Sequence, residues 1–66
     1  MMSKISKREI EIIGLIANEY TSKQIAQRLL ISFETVKSHR KNLFIKLNVK
    51  NVAGLVRVAF ENQYLH

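Results

Sequence analysis

The chain has no cysteine, no proline and only two glycines among its 66 residues. Without cysteine, neither a disulfide framework nor a thiolate zinc site can stabilise the fold. No apolar run approaches the roughly 18 residues that a membrane span requires, and the first residues lack the apolar stretch of a secretory signal. We therefore expect a cytoplasmic protein with no membrane partner, stabilised by the packing of its hydrophobic residues, which make up 47% of the chain.

A chain of this length forms one domain, here residues 1–66, and it has little core to give up to a large substrate cavity. Acidic residues are scarce in its middle: between Tyr20 and Phe60 the only acid is Glu34. The same stretch carries eight lysines and arginines, and the net charge of the chain is +6. Such a one-sided field favours a polyanionic partner, although a basic surface can also serve solubility alone.

Apolar residues recur at intervals of three and four, which predicts an all-α fold of four helices. Each helix has a start signal. Capping boxes are predicted at Ser6 with Glu9 and at Thr21 with Gln24, while Ser32 and Asn51 are further N-cap candidates. These starts predict helices over roughly 7–18, 22–29, 33–47 and 52–62.

The second helix is short, the third is long, and three residues separate them. A turn this tight makes the helices cross steeply, which is the geometry of a helix-turn-helix unit, here over about 21–47. A helical hairpin in a plain bundle would look similar at this level.

The third predicted helix has two faces. Val36, Leu43 and Leu47 define a stripe for the core, and polar side chains cover the opposite side, with Ile45 among them. Lysine can donate to guanine, and serine can bond to either member of a base pair. Lys37, Ser38 and Lys41 stand together in the half of the helix that usually meets the bases, so we predict that they read DNA. On its own, a polar face is what most helices present to solvent.

Several motifs occur in order and carry a family resemblance: Ile5-Ser6-Lys7-Arg8-Glu9, Lys23-Gln24-Ile25-Ala26, Ile31-Ser32, Thr35-Val36-Lys37-Ser38-His39 and Lys46-Leu47-Asn48-Val49. Together they resemble the LuxR/FixJ/NarL (GerE-like) DNA-binding domain of bacterial transcriptional regulators. The resemblance covers about residues 5–65. It implies sequence-specific binding of double-stranded DNA for transcription regulation, with the third helix in the major groove.

The resemblance also implies roles for individual residues. The base-reading positions fall on Lys37, Ser38 and Lys41. The contacts to the DNA backbone are expected from Thr21, Ser22, Lys23, Thr35, Arg40, Asn42, Lys46 and Lys50. The fourth helix is expected to form a homodimer through a face of Gly54, Leu55 and Val58, and RNA polymerase is a candidate partner.

Two positions carry residues that are unusual at their places in a helix: Glu19 at the end of the first helix and Gly14 inside it. Glu19 stands where the family usually has glycine, which enters the left-handed conformation without penalty. Glu19 must therefore accept that cost, or the first helix must end differently. Gly14 is expected on the core side of the first helix, where it would permit close packing.

No catalytic arrangement is visible, so we expect no enzyme activity and no cofactor. A metal site is not expected either, because His39 has only the terminal His66 as a histidine partner. Two other functions stay open at this point: a protein-interaction module with a degenerate helix-turn-helix, and a promoter-reading domain similar to sigma-factor region 4.

Overall fold

The structure is a computed structural model, and it describes residues 5–65. This part of the chain forms four helices and no strand: α1 (Lys7–Ala17), α2 (Ser22–Leu29), α3 (Phe33–Lys46) and α4 (Val52–Glu61). The predicted all-α fold is confirmed, and α1, α3 and α4 each end one residue earlier than the sequence suggested. None of the helices in residues 5–65 has the length and apolar character needed to cross a membrane.

Each helix begins at the predicted N-cap residue. The Ser6 hydroxyl accepts from the Glu9 backbone N–H at 3.1 Å, and the Glu9 carboxylate accepts from the Ser6 N–H at 2.8 Å. Thr21 and Gln24 form the same reciprocal pair at the start of α2. Ser32 and Asn51 cap α3 and α4 through their side-chain oxygens. These bonds satisfy backbone donors that a helix leaves unpaired in its first turn.

Each helix is followed by a non-glycine residue with positive φ. These residues are Glu19, Leu30, Asn48 and Gln63, with φ between 54° and 66°. The next N–H in each case donates to a carbonyl five residues earlier, as from Tyr20 to Leu15 at 3.0 Å. This is the Schellman pattern that closes helix C-termini, usually with glycine in the left-handed position. Glu19 therefore accepts the left-handed conformation, and α1 ends at Ala17, one residue before the predicted end.

The core lies between the helices and is apolar. Its buried members are Ile12, Ile13, Ile16, Ile25, Ala26, Val36, Leu43, Leu55 and Ala59. α1 packs against both α3 and α4, and α2 packs against α3. The predicted stripe of α3 is confirmed for Val36 and Leu43, which are fully buried, while Leu47 packs partly buried at the edge of the core.

Gly14 does not have the predicted packing role. Within residues 5–65, a Cβ placed on Gly14 would meet no atom within 4 Å outside its own helix backbone and chain neighbours. No neighbouring helix therefore approaches closely at this point, because the α1 face that carries Gly14 is turned away from the packed Ile12, Ile13 and Ile16.

Candidate nucleic-acid interface

α3 presents an exposed row of side chains opposite its buried stripe. Lys37, Ser38 and Lys41 are all exposed, and their relative positions of i, i+1 and i+4 place them side by side on the helix surface. Ser32 caps α3 and so determines where the helix begins. Val36 and Leu43 hold the opposite side of α3 in the core. The row can offer two ammonium groups and one hydroxyl to a partner. Their assignment to bases stays a prediction.

Phe33 lies at the start of α3 and is 45% exposed, so it does not belong to the core. Its ring lies under Lys37, whose Nζ is 5.4 Å from the ring centroid. A cation over an aromatic face is attracted by the ring quadrupole. Phe33 therefore favours a conformation of Lys37 that stays close to the helix N-terminus.

The residues predicted to contact the DNA backbone lie mostly on the surface. Thr21, Lys23, Thr35, Asn42 and Lys50 are exposed, and Ser22 and Arg40 are half-buried. Thr21, Ser22 and Lys23 lie at the start of α2, Thr35, Arg40 and Asn42 lie on α3, and Lys50 lies between α3 and α4. Such an arrangement suits phosphates, which position a protein on DNA without carrying sequence information.

Thr35 has an additional partner that the sequence did not indicate. Its hydroxyl oxygen lies 2.7 Å from that of Ser32, and its backbone N–H donates to the same Ser32 oxygen at 3.0 Å. If Ser32 donates within this pair, the Thr35 hydroxyl hydrogen is free for an acceptor outside the protein. The pair thus holds Thr35 in a fixed position at the first turn of α3.

Lys46 is not available in the way the sequence suggested. Its Nζ donates to both carboxylate oxygens of Glu9, at 3.0 Å and 2.8 Å, and its side chain is largely buried. Because the ammonium is paired with a carboxylate of the same chain, we do not include Lys46 among the proposed phosphate contacts. The sequence offered no local sign of this pair, because 37 residues separate its members.

The pair also changes the acid strength of Glu9. Burial of this carboxyl raises its pKa, but the hydrogen bond from Lys46 and those with Ser6 oppose that effect. Together they hold the pKa of Glu9 below its ordinary value of 4.5. Glu9 thus has two roles, closing the capping box of α1 and anchoring the last turn of α3.

The structure corrects the predicted dimer face of α4. Leu55 is fully buried in the core and cannot contact a second molecule in this fold, because α4 is rotated so that Leu55 and Ala59 face α1. Gly54 and Val58 are half-buried. The exposed apolar side chains of α4 are instead Val52 and Phe60, of which Phe60 is 68% exposed.

One surface residue of α3 received no role from the sequence. Ile45 is 67% exposed and follows Lys41 by one helical turn. With Arg40, Lys41 and Phe44 it lines a shallow cleft at the C-terminal half of the helix. In the sequence, Ile45 could be noticed only because it is an apolar residue among the polar residues of this helix face.

Among residues 5–65, no three histidine, aspartate or glutamate side chains come together in a way that could hold a metal ion. His66, the histidine that was considered as a metal-binding partner of His39, lies outside the described residues.

Comparison with known proteins decides the family. The model for bacterial regulatory proteins of the luxR family, named GerE, matches residues 3–59. The chain belongs to the luxR family of bacterial regulatory proteins. It is a helix-turn-helix domain of a DNA-binding transcription regulator, and the family is not a class of enzymes. The match favours this assignment over a promoter-reading domain of the sigma-factor region 4 kind.

Sequence relatives include the oxygen regulatory protein NreC of Staphylococcus carnosus, which is 43% identical over 61 residues. NreC of Staphylococcus aureus is 41% identical over the same length. Each alignment covers 92% of this chain but 28% of the relative. The chain thus spans little more than a quarter of the length of these curated relatives.

Two solved structures share the fold. The transcription factor GerE superposes with a TM-score of 0.89 at 31% identity, covering 97% of this chain and 96% of GerE. The response regulator ChrA of a heme-sensing two-component system gives a TM-score of 0.91 at 31% identity. That superposition covers 98% of this chain and 32% of ChrA, so this chain resembles the effector domain of a response regulator.

Proposed function

We propose that this luxR-family domain recognises a specific DNA sequence by placing α3 in the major groove. The observation that carries the proposal is the exposed row of Lys37, Ser38 and Lys41 on a helix whose other side is fixed in the core. Lysine ammonium groups can donate to guanine O6 and N7, and a serine hydroxyl can pair with several base edges. In this proposal these three residues contact bases.

The remaining contacts go to the phosphate backbone. We assign them to the seven residues around the row that stay accessible: Thr21, Ser22, Lys23, Thr35, Arg40, Asn42 and Lys50. Glu34 is the one acid in the basic stretch between Tyr20 and Phe60, so little repulsion opposes the approach of a polyanion. Phosphate contacts of this kind supply affinity that falls steeply with salt.

The test compares Lys41→Ala with Lys50→Ala. Sites are first selected from a random DNA pool, and the affinity of each variant is then measured by fluorescence anisotropy on the selected and on a scrambled duplex. Lys41→Ala should lower the affinity for the selected site by about 1–3 kcal/mol and relax base preference, because a base contact is lost. Lys50→Ala should lower the affinity for the selected and the scrambled duplex by the same factor. Equal losses on both duplexes with Lys41→Ala would reduce Lys41 to a phosphate contact.

Two copies of the domain are proposed to pair on DNA through α4. α4 packs on α1 through Leu55 and Ala59 and leaves Val52 and Phe60 exposed beside half-buried Val56. Apolar side chains on one exposed helix side suit a second copy of the same helix, since a two-fold axis brings identical surfaces together.

Half-site spacing tests the pairing. If two domains pair on one face of the duplex, binding to two half-sites one helical turn apart should be cooperative, and an added half turn should abolish the cooperativity. Phe60→Ser should remove the cooperativity, whereas Val58→Thr changes the other side of α4 and should retain it. If Val58→Thr removed the cooperativity and Phe60→Ser retained it, the interface would lie on the side of Gly54 and Val58.

RNA polymerase is the further partner that we propose for a transcription regulator of this kind. The purified polymerase should be retained on a promoter duplex together with the domain. Exclusion of the polymerase from that duplex would instead indicate repression by occupancy of the site.

A further inference from the structure

Ile45 extends the exposed row of α3 beyond the three polar residues. It follows Lys41 by four positions and Lys37 by eight, so the three side chains lie on one side of the helix. At about 1.5 Å of rise per residue, Ile45 lies some 6 Å further along the helix than Lys41. The row thus ends in an isoleucine that is 67% exposed.

The fold does not use this side chain. Leu43, two residues earlier, is fully buried and holds this part of α3 in the core, with Phe44 packed partly buried beside it. α4, the helix proposed for pairing, packs against α1, whereas α3 packs against α1 and α2. Within the described residues, Ile45 therefore serves neither the core nor the α4 surface.

The surroundings of Ile45 suit the wall of a DNA groove. Arg40 and Lys41 border the shallow cleft that Ile45 and Phe44 line. Arg40 can hold a phosphate oxygen at one edge of this cleft, while Lys41 and the apolar surface beside it face the base edges. The major groove presents one apolar group at its floor, the C5-methyl of thymine, among hydrogen-bond donors and acceptors.

We propose that Ile45 is a specificity-determining residue that recognises a thymine methyl group, next to the base pair contacted by Lys41. This inference rests on the proposed placement of α3 in the major groove. Contact between the methyl group and Ile45 removes apolar surface of both partners from water. It adds an A·T preference that the hydrogen-bonding residues alone would not supply.

Replacing thymine by deoxyuridine isolates this contact, because the two bases differ in the methyl group and share their hydrogen-bonding edges. Each thymine of the selected half-site is replaced in turn, and the affinity of the 66-residue chain is measured for each duplex. Loss of one buried methyl group should weaken binding by about fourfold at one position. Ile45→Ala should bind the thymine and deoxyuridine duplexes equally, and Ile45→Val should retain part of the difference.

Leu30→Ala serves as the matched control, because Leu30 is also an exposed apolar residue but lies outside the row. Its thymine-to-deoxyuridine affinity ratio should equal that of the unchanged chain. Circular dichroism verifies that each variant is folded, which is expected since Ile45 is exposed. The fourfold ratio, its loss in Ile45→Ala and its persistence in Leu30→Ala together support the proposal.

Three results would overturn it. One is a selected half-site without an enriched thymine, a second is an affinity that no deoxyuridine changes, and a third is a methyl effect that persists in Ile45→Ala. In each of them Lys41→Ala can still lose preference for the selected site, so the groove placement of α3 would stand. Equal binding of selected and scrambled duplexes by the unchanged chain would reject that placement and the role of Ile45 together.

Discussion

Lys46 Nζ donates to both carboxylate oxygens of Glu9, at 3.0 Å and 2.8 Å, and so joins the last turn of α3 to the first turn of α1. Glu9 is the one buried charged residue among residues 5–65. Its remaining bonds hold the N-cap of α1, so one carboxylate organises two helix ends. The pair thus links the start of α1 to the end of α3.

Glu9→Gln should lower the free energy of unfolding by about 2 kcal/mol, a value typical of hydrogen bonds to charged groups. The neutral amide leaves the largely buried Lys46 ammonium without its counter-charge. Urea unfolding followed by circular dichroism measures the change. Glu11→Gln is the control, because Glu11 and its partner Arg8 are both exposed and a surface pair contributes little. Equal effects of the two substitutions would contradict a structural role for the buried pair.

The same pair predicts a loss of stability in acid. Since the pKa of Glu9 is lower in the folded than in the unfolded protein, its contribution is present above the unfolded value, near 4.5. It is lost as the pH falls through the folded pKa. The difference in unfolding free energy between the unchanged chain and Glu9→Gln should therefore be constant near neutral pH and shrink below 4.5. A difference that stays constant down to pH 3, about 1.5 pH units below the unfolded pKa, would contradict this prediction.

The helices could be predicted from the sequence because their start signals are local. Ser6 and Glu9, or Thr21 and Gln24, lie three residues apart and form their bonds within one turn. The second role of Glu9 was missed, since its partner is distant in sequence and is reached only when α1 and α3 pack.

Gly14→Ala should stabilise the domain by about 0.5–1 kcal/mol, because glycine inside a helix costs conformational entropy and the added methyl group meets no neighbour. Gly54→Ala is the matched control. Its Cβ would lie 3.4 Å from that of Val49, so packing can offset part of the gain. Thermal unfolding of both variants provides the comparison. A destabilised Gly14→Ala variant would mean that another surface packs closely on α1.

Glu19→Gly should also stabilise the domain, by about 1 kcal/mol, because it removes the penalty of a non-glycine residue in the left-handed region. Glu19→Ala retains that penalty and removes the charge, so it should give no comparable gain. Chemical denaturation distinguishes the two variants. A similar gain from both would point to the charge of Glu19 rather than to its backbone.

Lys23→Ala should weaken binding to selected and scrambled duplexes alike and reduce the slope of log affinity against log salt by about 1, as expected for one lost phosphate contact. Lys23 is exposed near the start of α2. Arg8→Ala removes a charge from α1, outside the helix-turn-helix unit, and should leave the slope near its original value. Anisotropy titrations at several salt concentrations give the slopes, and equal reductions by both variants would indicate a diffuse charge effect.

The side that α4 turns to its neighbours could not be predicted with the same success. Apolar residues occur all around this helix, so its periodicity left several rotations open, and Leu55 was placed on the surface although it is fully buried. The same ambiguity affected Gly14 on α1. The position of Ile45 in the polar face of α3 could be predicted, but its exposure is seen only in the packed structure.

α1 packs against both α3 and α4, and this arrangement has a consequence for cooperativity. A rotation of α4 on the proposed pairing would reach the row of Lys37, Ser38 and Lys41 mainly through the buried α1 residues Ile12, Ile13 and Ile16. In the proposed complex, α1 would touch neither partner, and its packing would carry the coupling free energy between dimer formation and DNA binding. Conservative Ile→Val substitutions at Ile12, Ile13 or Ile16 should therefore change this coupling free energy without altering either contact surface.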